Sequence, residues 1–309
     1  MLHYRLKTAT FMRRIACLLP AVLLFAGCSH PADKQQNPTV LRIISLAPSI
    51  TETIFALGCG DQVVGVSDFC KSPAAVSKIP RVGGYVDPNF EMIMSLKPNL
   101  AFLLKEHTKV KDFCRANNIR CVEIDDHNVQ SIIASVRIIG KCCGKSAEGD
   151  QLADRMEREF TSADSLTGPK PRILLSVGRD GAGSGTVASI WAAGPRTFYH
   201  EIIAAAGGIN VINDSSLDYP TISAEGISRL RPDIIIDAMS SMEQYAPQAD
   251  KLRKDWDVLR LVPAVRDSMV RCVTGDYVTI PGPRIVDFLR DLRGIVAEWR
   301  TDKAVIGHR

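Results

Sequence analysis

Short apolar runs alternate with longer amphipathic stretches along most of the chain. Arg42-Ile-Ile-Ser-Leu46 reads as a buried strand ended by Ala47-Pro48. Ser49-Ile-Thr-Glu52 reads as a capping box that opens a helix through Leu57, stopped by Gly58. Strands at 63–66, 99–104 and 120–124 then alternate with helices over 90–96, 107–117 and 128–141. The pattern restarts downstream, with a strand at 172–177, a helix over 198–206 closed by Gly207-Gly208, and a strand at 234–237. Strands alternating with helices predict the α/β class, with a mostly parallel sheet wrapped by helices.

The stretch 147–164 breaks the rhythm. It is charged, and its apolar residues Leu152, Met156 and Phe160 form one helical stripe before Gly168-Pro169-Lys170-Pro171. A helix of that length spans about 27 Å. It fits a strut between two halves, or an ordinary helix covering a sheet. The strut reading divides the body into an N-terminal lobe over 41–145, a connecting helix over 146–168 and a C-terminal lobe over 169–309.

An internal repeat supports two related halves. Tyr85, Glu91, Ile93, Leu96, Lys97, Pro98 and Asn99 recur without a gap as Tyr219, Glu225, Ile227, Leu230, Arg231, Pro232 and Asp233. Ligands commonly bind in clefts between such halves. Asn89 and Ser223, two residues before each Glu, sit where helix N-caps belong. Glu91 and Glu225 then fall in a first turn, where the helix dipole alone accounts for an acid. Their matched placement equally fits two-point docking onto a basic partner. Tyr85 and Tyr219, each in the loop before its helix, fit either packed loop aromatics or the two lips of a site for a flat apolar ligand.

Composition changes the picture at the N-terminus. The 309 residues include 38 Lys and Arg against 34 Asp and Glu, for a formal charge of +4. Four of those bases (Arg5, Lys7, Arg13, Arg14) precede an apolar run at 15–27 that is too short to span a bilayer. Residues 1–27 therefore read as an export signal, with Met12 as an alternative start. Without them the chain is electrically balanced, which leaves no global field for nucleic acid. Leu24-Phe25-Ala26-Gly27-Cys28 resembles a bacterial lipobox. Cys28 would be the lipidated first residue and 28–40 a polar tether to the membrane; an ordinary cleaved signal is the alternative. Seven cysteines follow Cys28, an odd number, and none sits in a CxxC or at zinc spacing with His. Export permits disulfides among them, but spacing does not reveal the pairs.

Enzyme motifs are lacking. Gly181-Ala-Gly-Ser-Gly-Thr186 carries Thr186 where a dinucleotide loop needs its third glycine, and no GxxxxGK or GxSxG occurs. Asp125-Asp126 has no partner at catalytic spacing. The chain is read as a non-enzyme, with no catalytic residues and no metal site.

Residues 45–58, Gly65-Val-Ser67, Gly83-Gly-Tyr-Val-Asp-Pro-Asn-Phe-Glu91, Leu96-Lys-Pro-Asn99, Gly207-Gly208 and Gly282-Pro-Arg284 resemble the helical-backbone (class III) substrate-binding proteins of ABC importers. The vitamin B12-binding group is most similar, and the likeness covers about residues 41–300. It implies two Rossmann-like lobes joined by one long helix. The ligand would be a cobalt corrinoid held between the lobes, with no resident cofactor, and the partners a permease dimer with its ATPase. On this resemblance Phe69, Tyr85, Trp191, Tyr219, Asp276 and Tyr277 are ligand-binding. Glu91 and Glu225 pair with permease arginines. Tyr stands at both lips where the B12-binding group has Trp, and Ile280 stands where it has a ligand-contacting Arg. Haem or a ferric siderophore is the alternative cargo.

Overall fold

The computed structural model describes residues 40–85, 87–162, 167–214, 216–239 and 249–306. The export signal over 1–27, Cys28 and nearly all of the tether lie outside the described residues. Among the described residues no helix is long and apolar enough to cross a membrane.

The first apolar runs become β1 (Ile43–Ser45), β2 (Val63–Val66), β3 (Leu100–Leu104) and β4 (Arg120–Ile124). They form one sheet in the order β2-β1-β3-β4, parallel throughout. β1 and β3 are central and buried on both faces, which is why they read as unbroken apolar runs. The connecting helices are α1 (Pro48–Ala56), α2 (Phe90–Ser95) and α3 (Thr108–Ala116). α4 (Val129–Cys142) and α5 (Ser146–Thr161) follow.

A second sheet holds β5 (Arg172–Gly178), β6 (Ser189–Ala192), β7 (Ile209–Asn210), β8 (Thr221–Ser223), β9 (Ile234–Ala238) and β10 (Val270–Val273). Its order is β10-β9-β5-β6-β8, with β7 also paired to β5. β7, β9 and β10 run parallel with β5, whereas the β5–β6 and β6–β8 pairs are antiparallel. The mostly parallel arrangement thus holds strictly in the first sheet and is modified by two strands in the second. α6 (Phe198–Ala205), α7 (Ala224–Leu230), α8 (Ala249–Lys254) and α9 (Pro263–Arg266) accompany this sheet, and α10 (Ile285–Ile306) ends the described chain.

α5 is 16 residues long and lies tightly on α4. The close approach needs Gly140 facing Gly149: a Cβ on Gly149 would sit 3.2 Å from the Gly140 Cα. Its predicted stripe is turned inward, with Met156 buried and Leu152 and Phe160 packed against the same apolar cluster. On its other side Glu159 takes Arg290 of α10 at 2.6 Å. One continuous core runs from Ile43 and Phe102 through Ile173 and Ile236 to Phe288 of α10. Both sheets therefore share the helical layer between them.

The repeat is repeated structure. Asn89 Oδ1 accepts the Met92 N–H at 2.9 Å, and Ser223 Oγ accepts the Gly226 N–H at 3.2 Å, so both are N-caps. Ile93 and Ile227 are buried. Lys97 and Arg231 both take left-handed backbone angles, φ 48° and 47°. Asn99 and Asp233 each accept a backbone N–H at 2.9 Å, from Arg42 and Arg172 respectively. Those arginines reach back to the carbonyls of Leu96 and Leu230.

The capping box at Ser49–Glu52 does not form. Pro48 opens α1, Ala47 is the N-cap and no side chain caps it. Both box residues make distant contacts instead. Ser49 Oγ donates to Asp126 Oδ2 at 3.4 Å. Glu52 accepts from Arg284 at 2.5 and 2.9 Å, 232 residues away.

Candidate functional site

Parallel strands put their carboxyl ends along one edge. In the first sheet the chain winds from β1 outward to β2, then crosses back to β3, so the winding reverses between β1 and β3. Open α/β sheets bind ligands in the crevice at such a reversal. Ser49 follows β1, Glu106 and His107 follow β3, and Asp125 and Asp126 follow β4.

These side chains are coupled. Tyr85 Oη donates to Glu106 Oε2 at 3.2 Å, and its ring centroid lies 4.3 Å from that of His107. The Leu104 N–H donates to His107 Nδ1 at 3.0 Å, which places the imidazole proton on Nε2. Nε2 is buried with no partner among the described residues, and burial pulls the pKa of His107 down, so the ring is neutral. Burial, followed by the Glu106 carboxylate, pushes Asp126 up to about 6 against the Ser49 hydrogen bond. Tyr85 is pushed up to about 12 by burial and then Glu106; Tyr219 is pushed up to about 12 by burial and then Asp218. The Asp126 carboxylate adds a smaller upward push to both phenols. A cavity of about 540 Å³ opens here, where Glu106, Glu123, Asp125 and Asp126 line the wall with Lys105. A smaller one of about 250 Å³ is lined by Tyr85, Glu106, His107 and Lys109. Among the described residues no cluster of three or more His, Cys, Asp or Glu side chains could hold a metal ion.

The carboxylates give a pH signature. Asp126 holds its proton more tightly folded than unfolded, so its contribution to stability is full below the ordinary carboxylate pKa and is lost as pH rises through about 6. Asp126→Asn is expected to raise stability at pH 7 by on the order of 1–3 kcal/mol. It should also flatten the dependence between about pH 4 and 6. Chemical denaturation of both proteins at pH 4.5 and 7 checks this; an unchanged midpoint at pH 7 would contradict it.

The predicted aromatics are exposed although large: Phe69 58%, Tyr85 36%, Trp191 42% and Tyr219 48%. Phe69 follows β2. Trp191 lies on β6 over Gly178, where a Cβ would come 3.1 Å from the indole. Tyr85 is tied to Glu106 and His107; among the described residues no hydrogen bond or ring contact joins it to Tyr219, Phe69 or Trp191. Asp276 and Tyr277 each have a partner within the chain. Asp276 takes Arg284 Nη1 at 2.8 Å, and the Tyr277 hydroxyl is hydrogen-bonded to Asp291 of α10. With Glu52 they form a brace from α1 across Arg284 to α10. Glu91 and Glu225 are exposed in the first turns of α2 and α7.

Glu106, His107 and Asp126 were not singled out by the sequence. The available signal was position: each lies within three residues of the end of an apolar strand. The glycine stretch 181–186 proves structural, because the N–H groups of Gly183 and Gly185 each donate to Asp255 at 2.6 Å.

A family model described as periplasmic binding protein matches residues 43–277. The chain is 26% identical to the uncharacterized ABC transporter substrate-binding lipoprotein YvrC of Bacillus subtilis, over 90% of this chain and 94% of that protein. It is 28% identical to a cobalamin-binding protein of Halobacterium salinarum, over 80% of this chain and 66% of that one. Among solved structures, the apo form of the periplasmic heme-binding protein RhuT from Roseiflexus sp. RS-1 superposes with a TM-score of 0.69. The match is 27% identical and covers 84% of this chain and 99% of that one.

Proposed function

We propose, for a chain that belongs to the periplasmic binding protein family and is the substrate-binding component of an ABC transporter, not an enzyme, that its cargo is a corrinoid. The observation that carries this reading is the sign of the charge in the crevice. Four carboxylates face one lysine in the larger cavity. Haem bears two propionates and ferric siderophores are commonly anionic, so both would meet like charge in a partly desolvated site. A corrinoid carries primary carboxamides around its rim, which donate to carboxylates, and its cobalt centre adds positive charge. Phe69, Tyr85, Trp191 and Tyr219 offer flat surface to the macrocycle. Asp276 and Tyr277 act indirectly, through the Arg284 brace.

Neutral His107 and the two high-pKa tyrosines are poor candidates for an iron ligand: the His107 Nδ1 lone pair is spent on Leu104, and nearby acids disfavour phenolate. Cys28 anchors the protein by lipid to a membrane on the periplasmic or cell-surface side. The lobes capture the ligand, Glu91 and Glu225 dock on permease arginines, and the permease dimer, driven by its ATPase, draws the lobes apart.

Titration with cobinamide and cobalamin is expected to give a one-to-one change in the visible spectrum at sub-micromolar concentration. Tyr85→Ala and Tyr219→Ala should each weaken it by about tenfold. Absence of any heat or spectral change at about 50 μM corrinoid, or a sharp Soret shift with haem in its place, would overturn the assignment.

A further inference from the structure

The helix that follows the acidic wall is capped from the far half of the chain. α4 opens at Val129, directly after the loop over 125–128 that lines the larger cavity. The first N–H groups of a helix have no partner within it. Asn128 Oδ1 accepts the Ser131 N–H at 2.8 Å, the ordinary local cap. The Val129 N–H instead donates to Glu201 Oε2 at 2.5 Å, 72 residues away. Glu201 stands in the first turn of α6, which follows β6 of the second sheet. The dipole of the 14-residue α4 favours a carboxylate at this end. The loop is also tied from within the first half. Asp125 Oδ1 accepts the His127 N–H at 3.0 Å, and Asp126 Oδ2 accepts from Ser49 at 3.4 Å.

Hydrogen bonds at the start of α6 lead on to Tyr219. Thr197, the residue before the helix, donates through Oγ1 to the Gly194 carbonyl at 2.9 Å. The Gly194 N–H donates to the Asp218 carbonyl at 2.7 Å, and Arg196 Nε donates to the Asp218 carboxylate at 2.7 Å. A Cβ on Gly194 would meet the Leu217 carbonyl oxygen at 2.3 Å, so this close approach needs a glycine. Past Tyr219, the Ala192 N–H donates to the Pro220 carbonyl at 2.9 Å. Both neighbours of Tyr219 are therefore held by the segment over 192–196 that leads into α6. Binding groups keep their geometry only when supporting hydrogen bonds hold them. We infer that Glu201 is a positioning residue for the cargo site, fixing the Tyr219 lip against the Asp125–Asp126 wall through the Val129 N–H. Phe198, Tyr199, Ile202 and Ile203 of α6 are buried in the continuous core, so loss of the Glu201 carboxylate frees the loop and leaves the helix in place.

The role rests on the crevice being the cargo site, and one arm of its test needs no cargo. In hydrogen exchange of the ligand-free protein, read by mass spectrometry, Glu201→Ala should speed exchange over 125–131 by about tenfold, with 198–205 unchanged. Glu201→Gln keeps an oxygen acceptor and should recover most of the protection. In cobinamide titration Glu201→Ala should raise the Kd by about tenfold, and Glu201→Gln by no more than about threefold. A double-mutant cycle then separates positioning from a general loss of stability. Adding Tyr219→Ala to Glu201→Ala should cost little more, because the ring is no longer placed against the wall. Adding Tyr85→Ala, which belongs to the same half as the wall, should still cost its full factor of about ten. Failure of the wild type to bind cobinamide would overturn the cargo assignment alone. Unchanged exchange over 125–131 in Glu201→Ala, wild-type affinity in that variant, or full additivity with Tyr219→Ala would overturn the positioning role.

Discussion

A chain carrying Glu91→Ala together with Glu225→Ala is expected to lose ligand uptake by about a hundredfold or more while keeping corrinoid affinity within about threefold. The split follows from where the two carboxylates stand. Each is exposed in the first turn of its helix, one residue beyond the start, and a side-chain N-cap is already supplied by Asn89 or Ser223. Removing either acid costs the helix only the dipole term, about 0.3–1 kcal/mol, so the fold and the crevice at the strand ends persist. Under the docking role proposed above, two matched charges act together, so loss of both removes their shared attraction to basic residues on the permease. Each single variant should give an intermediate loss. Uptake of labelled corrinoid by cells, read beside titration of the purified protein, separates the outcomes. Collapse of affinity would make the two acids ligand-binding residues, and undiminished uptake would remove the docking role.

The repeat that placed these acids was legible because its positions each answer a local backbone need: an N-cap, a buried Ile, a left-handed residue before Pro. Its full extent was not legible. Arg42 and Arg172 are part of the unit, yet their hydrogen bonds reach across 54 to 61 residues, and nothing local marks them. The same cause explains the failed capping box. Ser49 and Glu52 have the right spacing, but burial pushes the Glu52 carboxyl up and Arg284 answers it from the far end of the chain. Glu106, His107 and Asp126 look like ordinary loop polars until the parallel sheet lines up the ends of β3 and β4. The antiparallel strands β6 and β8 were missed for compositional reasons: the Gly- and Ser-rich approach at 181–189 and the three-residue length of β8 give no periodic signal.

Arg179→Met is expected to cost about 3–5 kcal/mol, a larger loss of stability than any surface change proposed above. The guanidinium is wholly buried. Its Nε donates to Asp237 at 3.0 Å, Nη1 to Asp255 at 2.8 Å and Nη2 to the Leu252 carbonyl at 3.1 Å. Asp237 also accepts from the Trp256 indole at 3.0 Å. One side chain thus joins the carboxyl ends of β5 and β9 to the α8 segment and, through Asp255, to the glycine turn over 181–186. Methionine fills much of the volume but strands two buried carboxylates without a cation, and an unpaired buried charge is far costlier than an absent pair. The pH dependence identifies the cause. In the wild type, burial pushes the Asp255 carboxyl up, but the Gly183 N–H, Arg179 and the Gly185 N–H outweigh it and hold it below its ordinary value. Its stabilisation is therefore present above the ordinary carboxylate pKa and fades as pH falls. In the variant the Gly183 and Gly185 N–H groups remain but the cation is gone, so the carboxyl is held down less and gains less stabilisation as pH rises. The difference between the two proteins must grow from about pH 4.5 to pH 7 in urea denaturation, and Asp237→Asn added to the variant should recover part of it. A deficit below about 1 kcal/mol, or one equal at both pH values, would mean that packing and not charge holds these strand ends together.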